Sequence, residues 1–246
     1  MPKKKVLPAL PNKIVIIKNE DKDKKWNETW AVPANRSPGH FPHPSRICLV
    51  GSPGLGKTNI MKNLFLKHQT SDNPFKRLYV MCADLTSKEW VNLEPTILSD
   101  EVIELDEYDA EIKTCLIIDD FEFKNNDKHT ETVLTTIMRF CSTHKNLSVY
   151  LSYQSFFHIP SICRKMSNVF VVYKPVGKDE TATICNRVGL KKGHLGMLFK
   201  QFCTSVHDNI CIDLTKDTPY PLRKNIYQII QSDNSDSDDD GDGGGA

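Results

Sequence analysis

Apolar residues fall along the chain in two rhythms, short unbroken runs and helical stripes, and from Arg46 onward the two alternate. Residues 47–50, 78–82, 115–118 and 169–173 are continuous apolar runs, the pattern of strands covered on both faces, and residues 147–153 read as a further strand. Residues 58–68 place Ile60, Leu64 and Phe65 on one helical face, and residues 130–143 align Val133, Leu134, Ile137, Met138 and Cys141 in one stripe. Two further helices are predicted over residues 179–187 and 194–203, and an irregular stretch after residue 82 as far as Leu105. The end reads as two strands, 210–214 and 226–230, joined through Pro219 and Pro221. Strand and helix in alternation predict an α/β fold, a mostly parallel sheet flanked by helices.

The flanks differ from this body. Residues 1–45 hold seven of the fourteen prolines, begin with Lys3, Lys4 and Lys5, and contain one strand-like run, 14–17. With Trp26 and Trp30 as apolar anchors they read as an extended arm that docks on the core or on a neighbouring subunit. Residues 46–230 form the single folded domain, since no linker splits them. Residues 231–246 carry six Asp and no Lys or Arg, so the rest of the chain has a net charge of +7 behind the formal +1. Such a Ser/Gly-rich acidic tail cannot bury apolar surface. It is either a competitor for phosphate-binding surface or a solubilising terminus.

Composition removes several classes of function. No apolar run approaches the ~18 residues of a membrane helix, and no charged-then-apolar leader is present, so neither a membrane span nor secretion is expected. Eight cysteines never reach a C-x-x-C spacing, which points to a reducing compartment. Cys203, His207 and Cys211 stand four apart, but the run after Asn209 alternates like a strand and no fourth ligand has zinc spacing, so core packing is the expectation.

The chemistry begins where the first strand ends. Gly51, Ser52, Pro53, Gly54, Leu55, Gly56, Lys57 and Thr58 read GSPGLGKT, a full match to the phosphate-loop pattern, between an apolar strand and an amphipathic helix. In such a loop backbone N–H groups turn inward toward phosphate oxygens and the helix adds its positive end. Lys57 then reaches the β- and γ-phosphates and the Thr58 hydroxyl ligates Mg²⁺. About sixty residues on, a buried run ends in Asp119 and Asp120. Asp119 is placed to hold the metal shell, and Asp120 to orient or deprotonate an attacking water. The next strand ends in Gln154, which either senses the γ-phosphate or caps a turn. Arg164 and Arg139 are each either a trans-acting arginine or a surface arginine, with Arg164 favoured. Arg187, Lys191, Lys192 and His194 form a basic, Gly-containing stretch that is either a DNA-phosphate contact or a solvated loop.

GSPGLGKT, LIIDDF and the stretch HKNLSVYLSYQSFFHIPSICRKMSNVFVVY resemble the FtsK–HerA-type genome-packaging ATPases of large eukaryotic DNA viruses, poxviruses and virophages among them, and above all the virophage members. The likeness covers about residues 46–230 and includes the closing PLRKNIYQII. It implies a RecA-like (ASCE) P-loop core, ATP and Mg²⁺, a homo-oligomeric ring, and translocation of double-stranded DNA into a capsid in the host cytoplasm. A capsid or portal-vertex protein would be the docking partner. By position it gives Lys57 and Thr58 to phosphate and metal, Asp119 to the metal, Asp120 to water and Gln154 to the γ-phosphate. Two departures stand out: position 120 is Asp where much of the superfamily has Glu, and no separate DNA-reading domain is evident.

Three rivals share the phosphate loop. A nucleotide or nucleoside kinase needs an Arg-rich lid and an acceptor site. An AAA+-like or helicase-type ATPase usually has Asn in place of Gln154 and a helical lid. A non-hydrolysing, nucleotide-gated assembly module would lack turnover altogether.

Overall fold

The computed structural model describes residues 41–121, 127–175, 177–215, 218 and 221–230. The expected strand at 14–17, Trp26, Trp30 and the tail 231–246 lie outside the described residues. One sheet of nine strands runs through the body in the order β3-β2-β4-β5-β1-β6-β7-β8-β9. The strands are β1 Arg46–Val50, β2 Arg77–Cys82, β3 Ile97–Ser99, β4 Thr114–Asp119, β5 Leu147–Tyr153, β6 Val169–Tyr173, β7 Asn209–Asp213, β8 Leu222–Lys224 and β9 Gln228–Ile229. Strands β1 to β6 pair in parallel, and β7, β8 and β9 extend the sheet antiparallel. After β6 come two helices that pack on the sheet, Lys178–Val188 and His194–Phe202, and then β7, β8 and β9 close the described chain.

The apolar runs are continuous because both faces of the sheet are covered. Ile47 and Leu49 of β1 join Met61, Leu64, Phe65 and Trp90 on one side, where helices α1 (Lys57–Gln69) and α2 (Lys88–Val91) lie. Cys48 and Val50 face the opposite core with Val133, Leu134, Ile184, Leu195 and Phe199. That side is built from α3 (Lys128–Thr136), α4 (Ser161–Met166), α5 (Lys178–Val188) and α6 (His194–Phe202).

Three elements depart from the sequence expectation. The stretch after residue 82 holds α2, the edge strand β3 and a 3₁₀ turn, Leu105–Glu107. The helix over 130–143 is interrupted: α3 passes into a π-turn at Ile137–Cys141 and ends in one α-helical turn, Ser142–His144, with the apolar stripe still buried. The expected strand 226–230 is instead the tip and second arm of a hairpin. Asn225 and Ile226 form its turn at φ 49 and 70, because the Asn225 side chain donates to Asp208 Oδ1 at 2.7 Å and accepts from the Asn209 N–H at 3.0 Å. Ile226 is thereby driven into the core beside α1.

Candidate nucleotide site

Parallel pairing brings the candidate chemistry to one level. Val50 lies opposite Tyr153, and Ser152 lies between Leu49 and Asp119, so the loop after β1, the acid pair at the end of β4 and the loop after β5 all lie at the carboxyl ends of the strands. That edge is where open α/β sheets bind ligands. Residues 51–56 connect β1 to α1. Gly56 stands at φ 96, a left-handed conformation suited to glycine. Gly51 is required for another reason: a Cβ there would lie 2.7 Å from Cβ of Tyr173.

Lys57 is buried, and its Nζ donates to the Gly51 carbonyl at 2.8 Å and to the Ser52 carbonyl at 3.3 Å. The same ammonium lies 3.7 Å from Asp120 Oδ2. The loop thus points its one buried cation toward the acid pair. Thr58 Oγ1 donates to Asp119 Oδ2 at 2.9 Å. These two side chains form an all-oxygen, singly charged donor pair, which suits Mg²⁺, an ion that keeps several of its waters. Two residues with no signal of their own in the sequence orient the carboxylate. Ser152 Oγ donates to Asp119 Oδ1 at 2.5 Å, and the buried Trp90 indole donates to Oδ2 at 3.1 Å. Such outer partners fix ligand geometry.

Asp120 turns out of the strand at φ 44, while its N–H remains bonded to the Ser152 carbonyl at 3.2 Å. Asp enters this left-handed region more readily than a longer side chain, because its short carboxylate bonds locally. That accounts for Asp rather than Glu here. Burial pushes the Asp120 carboxyl above its ordinary range; Lys57 pulls it back, Asp119 pushes it further, and a hydrogen bond from Gln154 pulls it down again. The site therefore brings together Lys57, Thr58, Asp119, Asp120 and Gln154.

The Gln154 loop has its own anchor. Buried Glu180, on the first turn of α5, accepts the Ser155 hydroxyl at 2.8 Å and the Phe156 N–H at 2.5 Å. Arg164 stands apart from the acids: it lies on α4 with its guanidinium 5.6 Å over the Phe156 ring. Arg139 is exposed on the π-turn. Arg187 is not a free basic group. Its guanidinium donates to the carbonyls of Arg164, Lys165 and Ser167 and covers the Phe170 ring, so it caps α4 rather than reaching outward. Lys191 and Lys192 are exposed beyond it. Cys203, His207 and Cys211 are divided: Cys211 is buried in β7, while His207 Nδ1 lies 3.3 Å from the Leu55 carbonyl of the phosphate loop.

No known family profile matches the chain, and no curated protein matches it by sequence. Solved structures do. The genome-packaging NTPase B204 of Sulfolobus turreted icosahedral virus 2, in complex with AMPPCP, superposes with a TM-score of 0.53 at 16% identity, over 77% of this chain and 100% of that one. The DNA-packaging ATPase B204 of Sulfolobus turreted icosahedral virus gives 0.55 at 13% identity, over 77% and 99%. ATPases 2 and 3 of EssC from Geobacillus thermodenitrificans give 0.52 at 13% identity, over 77% of this chain and 40% of that longer one. At such identities the likeness speaks for architecture alone: this chain has the P-loop NTPase fold, a mostly parallel sheet with flanking helices.

Proposed function

We propose that the protein is an ATP-hydrolysing motor of the FtsK–HerA type that moves double-stranded viral DNA into a capsid, working as a homo-oligomeric ring in the host cytoplasm. The observation that carries the ATPase reading is the convergence of Lys57, Asp120 and Gln154 beside the Thr58–Asp119 pair. A kinase would need an acceptor site where Asp120 stands. The DNA and capsid parts rest on the resemblance of residues 46–230 to packaging ATPases and on the two packaging NTPases that share the fold.

Each side chain then has one task. Lys57 leaves its loop carbonyls for the β- and γ-phosphate oxygens. Thr58 and Asp119 would hold Mg²⁺, which when bound neutralises charge on those oxygens. Gln154 faces the γ-phosphate, and its hydrogen bond favours the ionised form of Asp120 against the effect of burial. Asp120 accepts a proton from water as the water oxygen bonds to the γ-phosphorus. The bond from that phosphorus to the β–γ bridging oxygen breaks, and ADP and phosphate result. Arg164 is assigned to a neighbouring subunit's nucleotide. The deciding assay is ATP turnover with and without duplex DNA. Wild type should turn over ATP faster with DNA, and Lys57→Ala should abolish turnover. Undiminished hydrolysis by Lys57→Ala would refute the site, and turnover indifferent to DNA would leave an ATPase with another cargo.

A further inference from the structure

Glu180 is a buried carboxylate that the proposed reaction does not use. It is the third residue of α5, the position from which a glutamate commonly reaches back to its own helix start. Here one oxygen, Oε1, reaches across to the loop after β5 instead, accepting the Ser155 hydroxyl at 2.8 Å and the Phe156 N–H at 2.5 Å. Burying a carboxylate is costly unless its charge is compensated. Those two donors and the positive end of α5 compensate it. The burial of Glu180 is therefore tied to the position of Ser155 and Phe156.

Gln154 lies directly before this anchor, and the residues ahead of it are fixed as well. The Tyr153 carbonyl accepts the Gly51 N–H at 3.1 Å, and the Ser152 carbonyl accepts the Asp120 N–H at 3.2 Å. The chain is thus pinned to the phosphate loop and the acid pair on one side of Gln154 and to α5 on the other. Gln154 itself is exposed, with its side chain hydrogen-bonded to Asp120. Its Cα stands ~3.8 Å from that of Ser155, so a displacement of Ser155 carries the amide with it. The anchoring helix is held at its far end too, where Arg187 donates to the carbonyls of Arg164, Lys165 and Ser167. Glu180 holds the loop from a helix fixed at both ends.

We propose that Glu180 is a positioning residue for hydrolysis, setting through Ser155 and Phe156 the place from which the Gln154 amide meets Asp120 and the γ-phosphate. The assignment rests on the ATPase reading above and adds a residue of α5 to what controls turnover. The test is steady-state ATP hydrolysis by the full chain with Mg²⁺, for Glu180→Leu, Glu180→Gln and Ser155→Ala, each alone and combined with Gln154→Leu. Glu180→Leu removes the acceptor and should lower kcat about tenfold with KM within about twofold of wild type, since a misplaced group slows the chemical step rather than nucleotide binding. Glu180→Gln keeps an acceptor oxygen and should bring kcat back to within about threefold of wild type. Ser155→Ala removes one of the two donors at a partly exposed position and should lower kcat about threefold. It decides the matter alone if Glu180→Leu does not fold. In the Gln154→Leu chain none of the three should lower kcat further, because a residue that acts through Gln154 has nothing left to position. The proposal is overturned if neither Glu180→Leu nor Ser155→Ala lowers kcat, if KM rises as kcat falls, if Glu180→Gln is as slow as Glu180→Leu, or if the losses add to that of Gln154→Leu. Wild-type kcat in the Gln154→Leu chain would remove Gln154 from the reaction, and the proposal with it. Absence of ATP turnover by wild type would bring down the ATPase reading as a whole, an outcome distinct from these.

Discussion

Asp120 leaves β4 in a left-handed conformation, between a buried ammonium and a second carboxylate. Its carboxyl is raised by burial, so Asp120, the base in the proposed reaction, loses its charge at a higher pH than an ordinary aspartate. Hydrolysis should fall as pH drops through that raised value. Gln154→Leu removes a hydrogen bond that lowers it, so the acid limb of the kcat–pH profile should move upward. A limb that stays in place would separate Gln154 from the base. Asp120→Asn should retain nucleotide binding while kcat falls ~10²-fold or more. Loss of binding would place Asp120 among the metal ligands instead. Ser152→Ala removes one donor to Asp119 and should raise the Mg²⁺ concentration needed for half-maximal turnover about tenfold. An unchanged requirement would show that Trp90 and Thr58 suffice to orient the carboxylate. Lys57, Thr58, Asp119 and Asp120 could be read from the chain because each belongs to a local pattern at the end of an apolar run. Ser152, Trp90 and Glu180 could not, since parallel pairing and helix docking, rather than neighbouring sequence, bring them to the site.

At the scale of elements, the five central parallel strands were legible because burial on both faces leaves them mostly apolar, with only small buried serines breaking the run in β5. The edges were not. β3 is three partly buried residues, and the Asn225–Tyr227 turn is set by Asp208, seventeen residues before Asn225, against the preference of Ile226. The opposite end of the sheet holds a testable element of its own. Buried His43 lies 2.7 Å from Ser148 Oγ and 2.6 Å from Asn146 Oδ1, bracing the entry to β1 against β5. Burial first, then Lys113, lowers its pKa from 6.5 to about 3. The unfolded chain therefore takes up a proton near pH 6.5 that the folded chain refuses until about pH 3. Stability from this group is complete above the upper value and is lost progressively as pH falls toward the lower one. Urea midpoints measured from pH 7 to pH 4 should fall, and His43→Gln should flatten that slope. An identical slope in the variant would assign acid sensitivity to other groups.

For the molecule as a whole, the sheet places Lys57, Thr58, Asp119, Asp120 and Gln154 on one edge while Lys191 and Lys192 stand exposed beyond α5. Arg187 links this region to α4, and Glu180 at the other end of the same helix holds the loop after Gln154. α5 thus joins the base of an exposed basic loop to the loop that follows Gln154. A chain with net charge +7 outside its acidic tail suits sequence-independent phosphate contacts, and a packaging motor needs no others. The most direct measurement of the central claim is displacement of a triplex-forming oligonucleotide from linear duplex DNA. The account predicts ATP-dependent displacement by wild type and none by Lys57→Ala. ATP hydrolysis without displacement, on duplex shown to be bound, would contradict it.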